Sequence, residues 1–183
     1  MLIISPKAKI SPLADIEDSV RGSRIVIEDG VVIDSFVKVK PAGGDGDLII
    51  GENCSINSGV VLYIGNGIRI GKDCAIGANT TFAPTNHEID DRTRPIREQR
   101  FMPSRGGIIL EDDVWVAANC VLLDGAILRK GCVVGAGSLV RGELPPYSVN
   151  VGSPARTIGY RGEPRGRVPA PQMAGVTALR CSS

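Results

Sequence analysis

The sequence predicts an all-β solenoid of about six coils, interrupted by one long inserted loop and closed by a short C-terminal cap. Three features support this: bulky apolar residues recur every six positions, small residues follow each of them by four, and one polar stretch interrupts the pattern. A helix would need an apolar period near 3.6 residues, and a simple strand a period of two. A period of six fits a short strand followed by a turn, and three such units close one triangular coil.

The repeat is unbroken from residue 110 onward. Its bulky positions are Leu110, Val116, Leu122, Leu128, Val134 and Val140. Its small positions are Val114, Cys120, Ala126, Cys132 and Ser138. Earlier blocks at 27–39, 50–62 and 70–82 have the same six-residue spacing with interruptions between them, and Gly65-Asn66-Gly67 inserts two residues that we interpret as a widened turn. Further upstream, Ile10, Ala14, Ile16 and Val20 are expected to form a first, irregular coil.

Composition restricts the class of protein. The 183 residues suit one domain with a substantial core, and the net charge of +1 gives no global field for nucleic acid. No run approaches the roughly 18 apolar residues of a membrane span, and the start lacks a signal-peptide pattern, so we expect a cytoplasmic protein. The five cysteines show no zinc-ligand or disulfide spacing. Cys54, Cys74, Cys120 and Cys132 are therefore expected to be small buried residues, with Cys54 and Cys74 stacked one coil apart.

The repeat stops between residues 84 and 107. This stretch is polar, contains Pro95 and Pro103, and holds the only histidine of the chain, His87. Its composition is incompatible with burial inside a solenoid, so we expect it to project as an arm; long irregular loops of this kind are often functional. The solenoid domain is expected to comprise residues 1–160 with a cap at 143–160, and 161–183 to form a Pro/Gly/Arg-rich tail.

The hexads resemble those of the hexapeptide-repeat family. The turns that carry this resemblance are Ile70–Cys74, Ile76–Thr80 and Val134–Ser138. The resemblance extends from about residue 10 to 142. It implies a left-handed parallel β-helix and a homotrimer with sites between subunits. The handedness comes from the family, because crossovers in ordinary parallel sheets are right-handed.

Within that family, the arm resembles the acceptor loop of maltose and galactoside acetyltransferases, and is closer still to the polysaccharide and lipopolysaccharide O-acetyltransferase branch. The matching segments are Asn86–Asp91, Arg94–Gln99, Asp112–Val116, Pro145–Val149 and Gly152–Arg156. The resemblance implies acetyl-CoA-dependent transfer to a sugar or glycan hydroxyl without a metal. A hydroxyl attacking a thioester needs a base, and a positioned imidazole contributes about 10²–10⁴-fold. His87 stands where these enzymes carry theirs.

The other expected roles come from the same resemblance. Glu88 is the candidate to orient His87, with Asp90, Asp91 or a backbone carbonyl as alternatives. The Ala118 amide is expected to stabilise the oxyanion, although Ala117 replaces the usual glycine before it. The expected coenzyme-binding residues are Trp115, Ala117, Ala118, Gly135, Ala136, Gly137, Arg141 and Arg156. The expected acceptor-binding residues are Asn79, Asn86, Arg94 and Gln99.

Several alternatives stay open at this stage. Trp115 is as consistent with packing at a subunit joint as with lining the site, and Arg161 and Arg165 are weaker candidates for the coenzyme phosphate. The acceptor could instead be an amino sugar or a streptogramin-type antibiotic. A further hypothesis is that the protein is a non-catalytic structural solenoid. A γ-class carbonic anhydrase is excluded, because it needs three histidines around zinc. A sugar nucleotidyltransferase would need a nucleotide-binding domain for which the chain has no room.

Overall fold

A computed structural model describes residues 1–163. The predicted left-handed parallel β-helix is confirmed: three parallel sheets form the sides of a triangular prism, and each coil contributes one short strand to each sheet. Six coils are complete, and a partial seventh follows. The tail beyond Glu163, with Arg165 and Cys181, lies outside the described residues.

The strands are numbered along the chain. Sheet A contains β1 (Leu2–Ile4), β4 (Ile25–Ile27), β7 (Leu48–Ile50), β10 (Ile68–Ile70), β13 (Ile108–Leu110), β16 (Ala126–Leu128) and β19 (Glu143–Leu144). Sheet B contains β2 (Lys9–Ile10), β5 (Val32–Ile33), β8 (Ser55–Ile56), β11 (Ala75–Ile76), β14 (Trp115–Val116), β17 (Val133–Val134), β20 (Ser148–Val151) and β21 (Arg156–Tyr160). Sheet C contains β3 (Asp15–Ile16), β6 (Lys38–Lys40), β9 (Val61–Tyr63), β12 (Thr81–Ala83), β15 (Val121–Leu123) and β18 (Leu139–Val140).

The chain turns three times in each coil, and the three corners differ in regularity. Corner 1 joins sheet A to sheet B and has four residues in each of the six coils: 5–8, 28–31, 51–54, 71–74, 111–114 and 129–132. Corner 2 joins sheet B to sheet C and also has four: 11–14, 34–37, 57–60, 77–80, 117–120 and 135–138. Corner 3 returns to sheet A and changes in length from coil to coil: 17–24, 41–47, 64–67, 84–107, 124–125 and 141–142.

The core consists of the predicted inward residues. The bulky positions from Ile27 to Val140 and the small positions between them are buried, and Phe82 is the largest fully buried side chain. Cys54, Cys74, Cys120 and Cys132 are buried free thiols, as expected. Cys74 N donates to the Cys54 sulfur across 3.4 Å, so this pair packs one coil apart. Burial raises the pKa of the Cys132 thiol to about 11, which keeps it protonated and unreactive.

The first coil departs from the prediction at one residue. Ile10, Ala14 and Ile16 pack against the core, but Val20 is 97% exposed. Val20 lies in the longer corner 3 segment 17–24, where the chain leaves the prism wall before β4. The six-residue phase therefore fails first at corner 3.

Left-handed residues recur at the third position of corners 1 and 2. In corner 2 they are Phe36, Gly59, Asn79, Asn119 and Gly137, with φ between 57° and 72°. Only glycine, asparagine and aspartate adopt this conformation readily, so Phe36 is the exception. The repeated turn geometry explains why four residues suffice at each of these corners.

The upper end of the prism is closed by a hairpin. β20 continues sheet B in parallel, and β21 then reverses and pairs with β20 antiparallel. Across residues 1–163 no helix is long and apolar enough to cross a membrane. The cytoplasmic location stays a prediction.

Candidate functional site

The irregular segments of corner 3 stack on one another. Gly65 N donates to Ala42 O at 3.1 Å, and Gly46 N donates to Gly65 O at 3.0 Å. One coil higher, Ile108 N donates to Gly67 O at 3.0 Å, where the arm rejoins the prism. Three interruptions of the repeat therefore form one continuous surface rather than three unrelated loops.

Thr85 explains why corner 3 is rich in glycine at this level. A Cβ at Gly65 (φ 46°) would lie 2.1 Å from Thr85 Oγ1, and one at Gly43 (φ 85°) would lie 3.0 Å from it. The start of the arm therefore lies directly on the bare backbone of the two coils below. Thr85 Oγ1 is buried there without a hydrogen-bond partner among the described residues.

The arm, residues 84–107, leaves and returns as a pair of antiparallel segments. Met102 N donates to Asn86 O at 2.8 Å, and Glu88 N donates to Arg100 O at 3.1 Å. The tip contains one short helix, α1 (Ile96–Gln99). This ladder fixes the backbone on both sides of His87.

Asp124 anchors the returning end of the arm. The residue is 2% exposed, and its carboxylate accepts hydrogen bonds from Gly107 N at 2.9 Å, Arg105 N at 2.8 Å and Asn66 Nδ2 at 3.3 Å. A buried carboxylate is stable when several donors surround it. Asp124 thus joins the arm to the turn of the coil below.

His87 lies at the base of the arm, exposed to solvent. Its ring packs against Phe101 on the returning segment, with ring centroids 4.7 Å apart and planes at 51°. Together with Tyr63, Ala83 and Thr85, these residues line a cavity of about 230 Å³. The imidazole therefore faces a space where a small molecule fits.

None of the candidate carboxylates bonds to His87 within one chain. Glu88 makes no side-chain hydrogen bond to a described residue, and neighbouring residues of an extended segment point to opposite faces. Asp91 is engaged elsewhere: its carboxylate accepts from Thr93 Oγ1 at 2.6 Å, which holds the pKa of Asp91 below its usual value. What holds the imidazole in this chain is its packing on Phe101.

The expected oxyanion donor lies at corner 2. The Ala118 N–H donates to none of the residues 1–163, whereas the flanking Ala117 N and Asn119 N donate to Val134 O and Ala78 O, both at 2.9 Å. A Cβ at Gly77 would lie 2.5 Å from Ala118 N, so glycine in the coil below keeps this amide accessible. Gly135, Ala136 and Gly137 continue the same corner one coil higher, and the space beside Gly137 is open.

Corner 2 and His87 lie at opposite ends of sheet C in a single chain. Ala78 is paired beneath the Ala118 turn, and the three-residue strand β12 then covers about 10 Å before the arm begins. Trp115 lies on the outer face of sheet B, 51% exposed, one coil above Ala75. His87 and Trp115 are therefore one coil apart along the prism axis but on different sides of the prism.

Two of the expected coenzyme residues share a cavity. Arg141 and Arg156 line a space of about 200 Å³ between the end of sheet C and the cap. Neither forms an ion pair with a described residue, and Glu143 in the same cavity is bonded to Arg129 Nε at 2.8 Å. This leaves two unpaired guanidinium groups, a suitable environment for phosphate. Arg161 is different, because it pairs with Asp113 at 2.7 Å.

The expected acceptor residues are not brought together. Asn79 belongs to corner 2, far from the arm, whereas Asn86 lies beside His87 with no side-chain hydrogen bond to a described residue. Gln99 is fully used inside the arm: its amide donates to Asp91 O at 2.8 Å and Arg94 O at 2.9 Å, and accepts from Asp91 N at 3.1 Å. Arg94 donates to Glu98 O at 2.8 Å. Gln99 and Arg94 therefore hold the arm in shape.

Three residues of this region were missed by reasoning from sequence. Tyr63, Phe101 and Asp124 each contact the base of the arm, but none belongs to the matched segments. Tyr63 has the outward position at the end of β9, and Asp124 begins the two-residue corner 3 segment between β15 and β16. Tyr63 lies two residues before the widened turn Gly65-Asn66-Gly67, and this position would have selected it; the unbroken repeat after residue 110 gives no such signal for Asp124.

No group of three or more potential metal ligands lies together in residues 1–163.

Two repeat patterns match the chain. Residues 107–142 match the bacterial transferase hexapeptide (six repeats), and residues 67–84 match the hexapeptide repeat of succinyl-transferase. The first match covers the two coils that follow the arm, and the second covers the coil that precedes it.

Among curated proteins, the chain is similar to the putative lipopolysaccharide biosynthesis O-acetyl transferase WbbJ of Escherichia coli K12. The two are 28% identical over 134 residues, which is 70% of this chain and 65% of that protein. Across the first three relatives, the chain spans between 35% and 65% of their length.

Two solved structures have the same fold. A hexapeptide-repeat acetyltransferase from Vibrio cholerae O1 biovar eltor, complexed with acetyl-CoA, is 25% identical with a TM-score of 0.59; the match covers 87% of this chain and 69% of that one. A variant of the N-acyltransferase AntD from Bacillus cereus has a TM-score of 0.74 at 24% identity, covering 87% and 84%. The AntD likeness is one of fold alone.

Proposed function

The chain belongs to the hexapeptide-repeat transferase family, and on this basis we propose that it is an acetyl-CoA-dependent O-acetyltransferase acting on a sugar or glycan hydroxyl. The observation that carries the proposal is the placement of His87, the only imidazole of the chain. It is exposed on a braced arm and lines a cavity at the point where the repeat is interrupted. A structural solenoid would have no need of such an arm.

His87 would act as the general base. Its imidazole accepts the proton of the acceptor hydroxyl as that oxygen attacks the thioester carbonyl carbon. The Ala118 N–H of a neighbouring copy would donate to the carbonyl oxygen as it gains negative charge. When the tetrahedral species collapses, the carbon–sulfur bond breaks and the imidazolium returns its proton to the departing thiolate. Proton and charge balance without a metal or a covalent enzyme intermediate.

Acetyl-CoA would bind along corner 2 toward the cap. The Ala118 and Ala136 N–H groups of these turns donate to none of the residues 1–163 and would suit the amide groups of a pantetheine arm. Arg141 and Arg156 would bind the coenzyme phosphate, since both are unpaired within residues 1–163 and share one cavity. The similarity to the Vibrio cholerae protein complexed with acetyl-CoA supports this assignment.

The site would be completed between subunits of a homotrimer. Strand β12, about 10 Å long, separates corner 2 from the arm and keeps Ala118 away from His87 within one chain. A neighbouring copy that presents its corner 2 to the arm would bring the two groups together. The arm also carries exposed apolar side chains suited to such a contact: Ile89, Ile96 and Met102 are 62%, 54% and 43% exposed.

Transfer to oxygen rather than nitrogen follows the similarity to the lipopolysaccharide O-acetyl transferase. The fold likeness to AntD, an N-acyltransferase, has no bearing on that choice because it carries no residue-level correspondence. An amino-sugar acceptor would need the same base and would give the same dependence on His87.

The test compares wild type with His87→Ala, using Arg92→Ala at the exposed arm tip as the matched control. Acetyl transfer and acetyl-CoA hydrolysis should fall about 10²–10⁴-fold in His87→Ala, because the base is lost. Acetyl-CoA affinity by calorimetry should be retained, and Arg92→Ala should behave as wild type. Unchanged turnover in His87→Ala would refute the base assignment, and a stable monomer in sedimentation would refute the shared site.

A further inference from the structure

The cavity beside His87 has a specific structural origin. At the outward position that ends the four three-residue strands of sheet C, successive coils carry Lys40, Tyr63, Ala83 and Leu123. Ala83 is the one small side chain in this row, and it lies between Tyr63 below and Leu123 above. The missing side-chain volume at Ala83 leaves the depression of about 230 Å³ that the arm then borders.

Two aromatic side chains form walls of this depression. Tyr63 and Phe101 are each 43% exposed, and Phe101 also packs on the His87 ring. Across residues 1–163 no group bonds to the Tyr63 hydroxyl. Aromatic rings with a polar tip suit ligands that have both apolar faces and hydroxyl groups. The remaining wall is the backbone of Ala42 and Gly43, which the lower loop of corner 3 supplies.

The size of the depression distinguishes between acceptor classes. Drug-sized ligands occupy pockets of about 300–1,000 Å³. The part of the site that one chain supplies has about 230 Å³, which lies below this range and matches a single sugar ring. Its aromatic walls would contact the C–H faces of that ring, and His87 lies at the edge where a ring hydroxyl would emerge.

We infer that this depression is the acceptor subsite, that it takes one pyranose ring, and that Tyr63 is the residue that positions the ring. The inference rests on the proposed function and extends it. Tyr63 would stack on the sugar and donate its hydroxyl to a ring oxygen or hydroxyl. Ala83 would set the room available, so its side-chain size determines which acceptors enter.

The experiment measures acetyl transfer from acetyl-CoA to a panel of methyl hexopyranosides, methyl 6-deoxyhexopyranosides and methyl N-acetylhexosaminides, read by mass spectrometry. Chloramphenicol serves as a non-sugar acceptor in the same panel. The variants are Tyr63→Ala, Tyr63→Phe and Ala83→Leu. Tyr160→Ala is the control, because Tyr160 is 44% exposed but lies on the C-terminal hairpin.

Tyr63→Ala should raise the KM for the pyranoside at least about tenfold, as expected for lost aromatic stacking and a lost hydrogen bond. The KM for acetyl-CoA should be unchanged. Tyr63→Phe should show a smaller increase, which isolates the hydroxyl. Ala83→Leu should abolish transfer to pyranosides while acetyl-CoA binding by calorimetry persists. Tyr160→Ala should match wild type in every measurement.

Each other outcome has a defined meaning. Transfer by wild type to chloramphenicol but to no pyranoside overturns the inference, and so does acetyl-CoA binding without transfer to any acceptor in the panel. An unchanged acceptor KM in both Tyr63→Ala and Ala83→Leu overturns it while the proposed function stands. Failure of wild type to bind acetyl-CoA refutes the proposed function itself.

Discussion

Corners 2 and 3 lie at the two ends of the same sheet, yet they are built on different rules. Corner 2 has four residues in every coil, and from the second coil to the sixth its third residue is left-handed. Corner 3 varies from the two residues at 124–125 to the arm at 84–107. One corner presents the same backbone surface at every level of the prism, and the other presents a different surface at each level.

The difference matches the two substrates that we propose. A long, uniform coenzyme arm is suited to a surface that repeats from coil to coil, as corner 2 does. An acceptor differs from enzyme to enzyme and needs a surface that can change without disturbing its neighbours. Corner 3 can change because each of its segments leaves the prism wall, so insertions there leave the inward phase intact.

The strongest test of the comparison is Gly77→Ala at corner 2. The new Cβ would lie 2.5 Å from both Ala117 C and Ala118 N, and backbone cannot move aside without shifting the coil above. We expect a loss of about 3 kcal/mol in the free energy of unfolding, at the upper end of overpacking effects. Denaturant titration at fixed protein concentration measures it.

The control for that substitution is Gly137→Ala. It lies at the same corner with φ 70°, but its Cβ would meet open space. It should cost only about 1–2 kcal/mol, from the left-handed backbone alone. Equal losses at the two glycines would mean that close stacking is not what makes corner 2 regular.

A second test addresses corner 3 through Asp124→Ala. The substitution leaves Arg105 N–H and Gly107 N–H without their acceptor, which should cost about 1–3 kcal/mol. The arm should also be cut faster by trypsin, because its returning end is no longer anchored. Asp124→Asn retains one accepting oxygen and should show a smaller change in both measurements. A cleavage rate in Asp124→Ala equal to that of wild type would contradict the anchoring role.

The smallest expected effect is the pH dependence of the stabilisation by an ion pair in the lower part of corner 3. Asp47 accepts from Arg24 Nη2 at 2.6 Å and from Arg24 N at 2.8 Å. The Arg24 side chain holds the pKa of Asp47 below its usual value, which is about 3.9 in an unfolded chain. Because the folded pKa is the lower one, the stabilisation is present above about pH 4 and is lost as pH falls through the folded pKa.

Arg24→Gln provides the comparison for this effect. Wild type should have a higher denaturant midpoint than Arg24→Gln at about pH 7, and the two midpoints should converge at about pH 2. The difference should be small, since the pair is partly exposed. A difference that persists undiminished at acid pH would show that Arg24 stabilises by packing rather than by charge.

The regular corners could be predicted from sequence and the irregular one could not. Period six places Leu110, Val116 and Leu122 inward because every coil obeys the same geometry. The arm has no such repeat. Gln99 was predicted to bind the acceptor, but its amide forms hydrogen bonds with Asp91 and Arg94 inside the arm. The roles of Tyr63 and Asp124 could not be predicted from the sequence, because they depend on the residues that stack above and below them. Those contacts depend on the conformation of the arm, whose sequence has no repeat.

The antiparallel pairing of β21 on β20 also determines how this protein can change in length. A further parallel coil placed on top of sheet B would have to displace the reversed strand. A duplication inside the stack would not, since residues 108–125 form one turn whose entry and exit are equivalent. Lengthening by whole internal modules would keep the hairpin where it is, while every level above the insertion moves up by one strand spacing.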